Sequence, residues 1–122
     1  MYAPELLDHF QNPRNVGELP PPAVVAEVSN PACGDILRLS VRFEEGRAVQ
    51  ARYRVRGCTA SIAAGSALTE MIIGKAAGAL SSIKAADVER AVGRLKAESK
   101  HAAVLCIDGL RAVLRELGSP PR

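Results

Sequence analysis

The sequence predicts an α+β fold: a three-stranded antiparallel sheet with helices packed on one face, a short N-terminal helix and further helices at the C-terminus. Three observations predict it. Two stretches in the first half alternate apolar and polar residues at period 2, the signature of a half-buried strand. The second half instead repeats apolar residues at helical spacing. With 122 residues, 48% of them hydrophobic and 24% charged, the chain suffices for a single domain over 1–122 with one core. Only 3% are aromatic and there is no Trp, so Leu, Ile, Val and Ala must build that core. No apolar run approaches the roughly 18 residues that a membrane-spanning helix needs, and nothing at the N-terminus reads as a signal peptide. The expectation is a cytoplasmic protein with no membrane partner.

Taken in order, a helix is predicted over 3–11, with Pro4 in its first turn, where a missing N–H costs nothing. It ends at Asn12-Pro13. Residues 14–22, with Gly17 and Pro20-Pro21-Pro22, read as a turn-rich link. Strands are predicted over 23–29, 36–43 and 48–56. In the second, Leu37, Leu39, Val41 and Phe43 face the core, and Arg38, Ser40 and Arg42 face out. In the third, Val49, Ala51, Tyr53 and Val55 face in, and Gln50, Arg52, Arg54 and Arg56 face out. The turn Glu44-Glu45-Gly46 makes these two a hairpin. Helices are predicted over 59–75 on Leu68, Met71 and Ile72, over 85–95 on Val88, Val92 and Leu95, and over 98–117 on Cys106, Leu110, Val113 and Leu117.

The formal net charge is +3, and its placement matters more than its size. Arg38, Arg42, Arg52, Arg54 and Arg56 all fall on the outer sheet face. No aromatic residue interleaves with them to stack bases, so nucleic acid is not an expected partner. A solvated face is the plain reading, and a docking face for an acidic protein is the sharper one.

Three cysteines are too few, and odd in number, for a secreted disulfide framework. Cys33 lies in the turn Asn30-Pro31-Ala32-Cys33-Gly34-Asp35, with a carboxylate two residues on. Cys58 follows Gly57 at a strand-to-helix junction, where a helix N-terminus favours the thiolate that binds metal. Neighbouring strands lie about 5 Å apart, so these two thiols can converge, with Asp35 as an oxygen donor. His101, at the start of the last helix, is the fourth candidate ligand. Cys106 lies about 140° around the helix from His101 and inside the apolar stripe, which makes it a core residue. Cys58, His101 and Asp35 would also compose a cysteine-nucleophile set, but nothing marks an oxyanion hole or substrate pocket beside them.

These motifs resemble the IscU/NifU-type iron–sulfur cluster assembly scaffold family over most of the chain. Tyr2, followed by Asp8-His9-Phe10-Gln11-Asn12-Pro13-Arg14-Asn15-Val16-Gly17, is similar to the family's N-terminal signature. Pro31-Ala32-Cys33-Gly34-Asp35 resembles its first cysteine motif, and Gly57-Cys58 with Ile62-Ala63, Ser66 and Thr69-Glu70 its second. The resemblance implies a scaffold rather than an enzyme, binding iron and a transient [2Fe–2S] cluster at Cys33, Asp35, Cys58 and His101. Zinc is the alternative occupant, in a module that docks on a desulfurase without building clusters. The implied partners are a cysteine desulfurase and cluster acceptor or carrier proteins, and a homodimer stays open.

The chain departs from the family in two places. The third family cysteine, implicated in taking sulfur from the desulfurase, would follow the histidine directly, and that position is Ala102. Before His101, Leu95-Lys96-Ala97-Glu98-Ser99-Lys100 stands where many bacterial members carry a Leu-Pro-Pro-Val-Lys chaperone-binding motif.

Overall fold

The computed structural model describes residues 2–31 and 34–118. The alternating segments form β1 (Val24–Asn30), β2 (Asp35–Glu44) and β3 (Arg47–Arg56), antiparallel in the order β1-β2-β3. Leu37, Leu39, Val41, Ala51 and Tyr53 are buried on the inner face, as their alternation requires. Val49 departs from its expected place. The register runs Arg42↔Gln50 and then Phe43↔Ala48, so Val49 is the extra residue of a bulge. Ala48 takes the core position instead and is fully buried.

The helical segments form α1 (Pro4–Gln11), α2 (Thr59–Ile72), α3 (Ala77–Leu80), α4 (Ala85–Ala91) and α5 (His101–Gly118), with one 3-10 turn at Ala97–Ser99. The short α3 was not expected from the sequence. The third predicted helix, over 85–95, ends early because Gly93 and Arg94 both take left-handed φ, at 74° and 78°. Gly93 is needed there twice over, since a Cβ would also stand 2.5 Å from that of Ala3. At the other end of the chain α5 outruns its support, and Leu117, expected on the apolar stripe, is exposed.

Both long helices lie on the inner face, α5 across β1 and β2 and α2 along β3, with α1 packed on α2 and α4 on α5 and α2. The central α2 is buried nearly all round, which its Ala-rich sequence permits. Tyr53 is the largest fully buried side chain, and its hydroxyl donates to the Ile62 carbonyl at 2.8 Å. Directly above its ring lies Gly65, where a Cβ would stand 2.5 Å from two ring carbons. Helix and strand therefore meet at a separation that only glycine allows.

The outer face is drier than expected. Asn15 and Gly17 pair with Tyr53 along the free edge of β3, and the chain then crosses β2. There the Leu19 amide donates to Ser40 Oγ at 3.0 Å, and both residues are buried. Arg38 and Arg42 are half-buried and ion-paired, Arg38 with Glu18 and Glu27, Arg42 with Glu44. Only Arg52, Arg54 and Arg56 of the five arginines are exposed.

The Asp8–Gly17 signature serves as a clasp between α1 and α2. Buried Ser66 Oγ lies 2.8 Å from His9 Nδ1 and accepts the Arg14 amide at 2.9 Å. The Arg14 guanidinium donates to the same Nδ1 at 3.2 Å, so the ring is neutral with its proton on Nε2, 3.6 Å from Glu70. Burial first, and the Arg14 charge second, lower the His9 pKa below its ordinary 6.5, against the opposing pull of Glu70 and Asp8.

Two expectations follow from this packing. Gly65→Ala should destabilise the fold by about 1–3 kcal/mol of overpacking, outweighing the gain of roughly 1 kcal/mol in helix propensity. Denaturant unfolding measures it, and an unchanged midpoint would contradict the close approach. Because the folded His9 pKa is depressed, its contribution is complete above about 6.5 and is lost as pH falls through the folded value. Thermal melts from about pH 7.5 to 5.5 should therefore fall more steeply for wild type than for His9→Gln, whose side chain does not titrate. Parallel curves would place the titration elsewhere.

Candidate metal centre

Three element ends meet at one end of the sheet. Asp35 opens β2, Cys58 occupies the N-cap of α2, and His101 opens α5. The β1–β2 turn closes on Gly34, at φ 75°, whose amide donates to the Asn30 carbonyl at 2.7 Å. That sets Asp35 opposite Asn30 in the first sheet position. One strand over, β3 ends at Arg56 beside Ile36, so the passage through Gly57 into α2 runs past the Asp35 carboxylate. A Cβ on Gly57 would stand 2.6 Å from Asp35 Cγ. The missing side chain is what lets the carboxylate sit against the backbone.

The donor atoms of Asp35, Cys58 and His101 all lie within 4.8 Å of one another. Asp35 Oδ2 is 3.4 Å from His101 Nε2 and 3.7 Å from Cys58 Sγ, and Sγ is 3.8 Å from Nε2. Metal–ligand bonds of about 2.0–2.3 Å in a tetrahedron separate neighbouring donors by roughly 3.3–3.8 Å. The three atoms are thus spaced as three corners of such a site. Asp35 is 5% exposed, whereas Cys58 and His101 are half-buried, leaving the centre open on one side.

Burial works against the charge on Asp35. The Ser61 hydroxyl, the nearby His101 ring and the Cys58 amide outweigh it and hold the carboxyl below its ordinary value. The Ser61 hydroxyl donates to Oδ2, and Ser61 Oγ also lies 3.4 Å from Cys58 Sγ. Ser61 had no role in the sequence reading, where a serine in the first turn of a helix is unremarkable. Its position three residues after Cys58, one helical turn on, was the available signal.

The structure brings Asp35, Cys58 and His101 together, while Cys33, the remaining candidate ligand, lies outside the described residues. Ala102 is fully buried and offers no donor. Cys106 is buried as expected, and burial pushes its thiol up to about 12, which marks a core residue and not a ready ligand.

Comparison with known proteins agrees with this architecture. The family model of the NifU-like N terminal domain matches residues 1–118. An iron-sulfur cluster assembly scaffold protein IscU from Archaeoglobus fulgidus is 36% identical over 114 residues, which cover 93% of this chain and 74% of that protein. A scaffold protein IscU from Azotobacter vinelandii is 33% identical over 119 residues, covering 94% and 92%. A bifunctional protein NifU/MnmA from Rubrobacter xylanophilus is 38% identical over 120 residues, and the chain spans 25% of its length. In fold, the chain is similar to a NifU-like N-terminal protein from Brucella abortus, with TM-score 0.66, 19% identity, and coverage of 94% and 90%.

Gly57→Ala tests the arrangement without removing a donor. The added methyl must displace the Asp35 carboxylate, so cobalt or zinc affinity should fall by about 10–100-fold, as for lost outer-shell support, with the fold retained by circular dichroism. Unchanged affinity would show that Asp35 does not bind the metal.

Proposed function

Because this chain belongs to the NifU-like N-terminal domain family, we propose that it is an iron–sulfur cluster assembly scaffold, which binds iron, holds a transient [2Fe–2S] cluster as cargo and passes it to acceptor proteins. The observation that carries this reading is the convergence of the Asp35, Cys58 and His101 donor atoms within 4.8 Å at the ends of three elements. Cys58 supplies the soft sulfur that iron–sulfur ligation requires, and His101 supplies a nitrogen that also serves cluster iron. Asp35 supplies a harder oxygen, less well matched to cluster iron than thiolate and so the natural point of release. Cys33, two residues before Asp35 in the chain, completes a set of two sulfurs, one nitrogen and one oxygen. The partners are a cysteine desulfurase as sulfur source and acceptor or carrier proteins downstream.

Ala102 shapes the chemistry. A methyl group cannot carry a persulfide, so delivered sulfur does not pass through this position. Cys106 is no substitute in the folded state, because its thiol is buried and held protonated. The same spacing and the missing third thiolate favour a second reading: a zinc-bound module that docks on a desulfurase without building clusters. Sulfur, nitrogen and oxygen donors at tetrahedral separations suit zinc directly.

Anaerobic incubation with ferrous iron, sulfide and a desulfurase distinguishes the two. As a scaffold, the wild-type chain should gain visible cluster absorption, Cys58→Ser should lose it, and the cluster should move to an apo-ferredoxin. Absorption gained only by Ala102→Cys, together with one tight zinc that iron does not displace from wild type, would establish the zinc module instead.

A further inference from the structure

We propose that the outer face of the sheet, at the end next to the metal centre, is a docking groove for an acidic protein surface, read by Arg54 and Arg56 with Arg38 behind them. The link that crosses the sheet at Ser40 divides the outer face. On the metal-centre side it leaves a groove of about 300 Å³ lined by Glu27, Ile36, Arg38, Arg54, Val55 and Arg56. Within it Arg38 stands directly opposite Arg54 in the β2–β3 register, and Arg56 is opposite Ile36. Like charges directly opposite across a ladder destabilise a sheet, so this pairing is no product of packing. Glu18 holds Arg38 at 2.6 Å, and Glu27 approaches it at 3.6 Å. Among the described residues no ion pair engages Arg54 or Arg56, and both are exposed. The floor is therefore fixed and partly neutralised, while Arg54, which feels the Glu18 charge without pairing with it, and Arg56 stand ready for carboxylates from outside.

Position gives the groove its use. Arg56 lies two residues before Cys58, and Ile36 directly follows Asp35. A partner seated on Arg54 and Arg56 has its edge at the metal centre without occupying it. An acidic protein suits this groove better than a nucleic acid: the groove is short, and no aromatic side chain lines it to stack a base. The inference rests on the arginine geometry and holds whichever metal the centre carries.

Fluorescence anisotropy of a labelled decapeptide of alternating Asp and Glu tests it on the intact protein at low salt. Arg54→Glu/Arg56→Glu should weaken binding by roughly tenfold or more, as two reversed contacts imply, and Arg111→Glu/Lys84→Glu, an equal charge change at exposed positions on α5 and beside α4, by less than about twofold. Circular dichroism and cobalt binding should stay unchanged in both variants. If charge reversal perturbs the fold, Arg54→Gln/Arg56→Gln takes its place, with a smaller loss in the same direction. Equal weakening by Arg111→Glu/Lys84→Glu would reduce the effect to net charge and overturn the proposal. So would tighter binding of a thymidine decanucleotide through the same arginines, which would make the face a nucleic-acid site.

Discussion

The close approach of α2 to β3 is the constraint on which the rest of this structure depends. A core with no Trp and two Phe cannot be filled by bulk, so it is filled by bringing backbones together. Ala60, Ala63, Ala64 and Ala67 let α2 sink among its neighbours, and Gly65 lets it rest on the Tyr53 ring. The hydrogen bond from Tyr53 to the Ile62 carbonyl then ties strand to helix one turn beyond Cys58. The position of Cys58 is inherited from that contact. A helix held farther from the sheet would carry the thiol away from Asp35, which is anchored to β2.

The second determinant is electrostatic. A carboxylate buried as deeply as Asp35 would ordinarily be disfavoured in its charged form. Here the Ser61 hydroxyl, His101 and the Cys58 amide compensate, so an anion is already in place where a metal cation would sit. The same three interactions fix the orientation of Oδ2 toward Cys58 and His101. Among the described residues, the candidate donors come from α2 and α5 and, for Asp35, from the sheet. Ala102 and Cys106 show the opposite treatment: on α5 the methyl and the thiol are both given over to the core.

Much of this was legible in the sequence because it follows from period and punctuation. Alternation at 36–43 and 48–56 placed β2 and, short of its bulge, β3, and the pattern of Cys106, Leu110 and Val113 placed the buried face of α5. Asp35 and Cys58 stood out as candidate donors through the motifs that carry them, and His101 through its place at the start of the last helix. What escaped depends on tertiary contacts. Period 2 does not say whether Ala48 or Val49 turns inward when a bulge intervenes. The outer face looked wet because Ser40 is polar, yet Leu19 comes from more than twenty residues away to cover it. Ser61 drew no attention beyond its spacing from Cys58, because its importance lies in a bond to Asp35 of β2 and not in its own helix.

X-ray absorption at the metal edge of the loaded protein tests the shared centre most directly. If Asp35, Cys58 and His101 bind one ion, the zinc form should show a mixed shell, with sulfur at about 2.3 Å and nitrogen and oxygen at about 2.0–2.2 Å. Cys58→Ser should remove one sulfur and leave the light atoms in place. A shell of sulfur alone, or of nitrogen and oxygen alone, would contradict it.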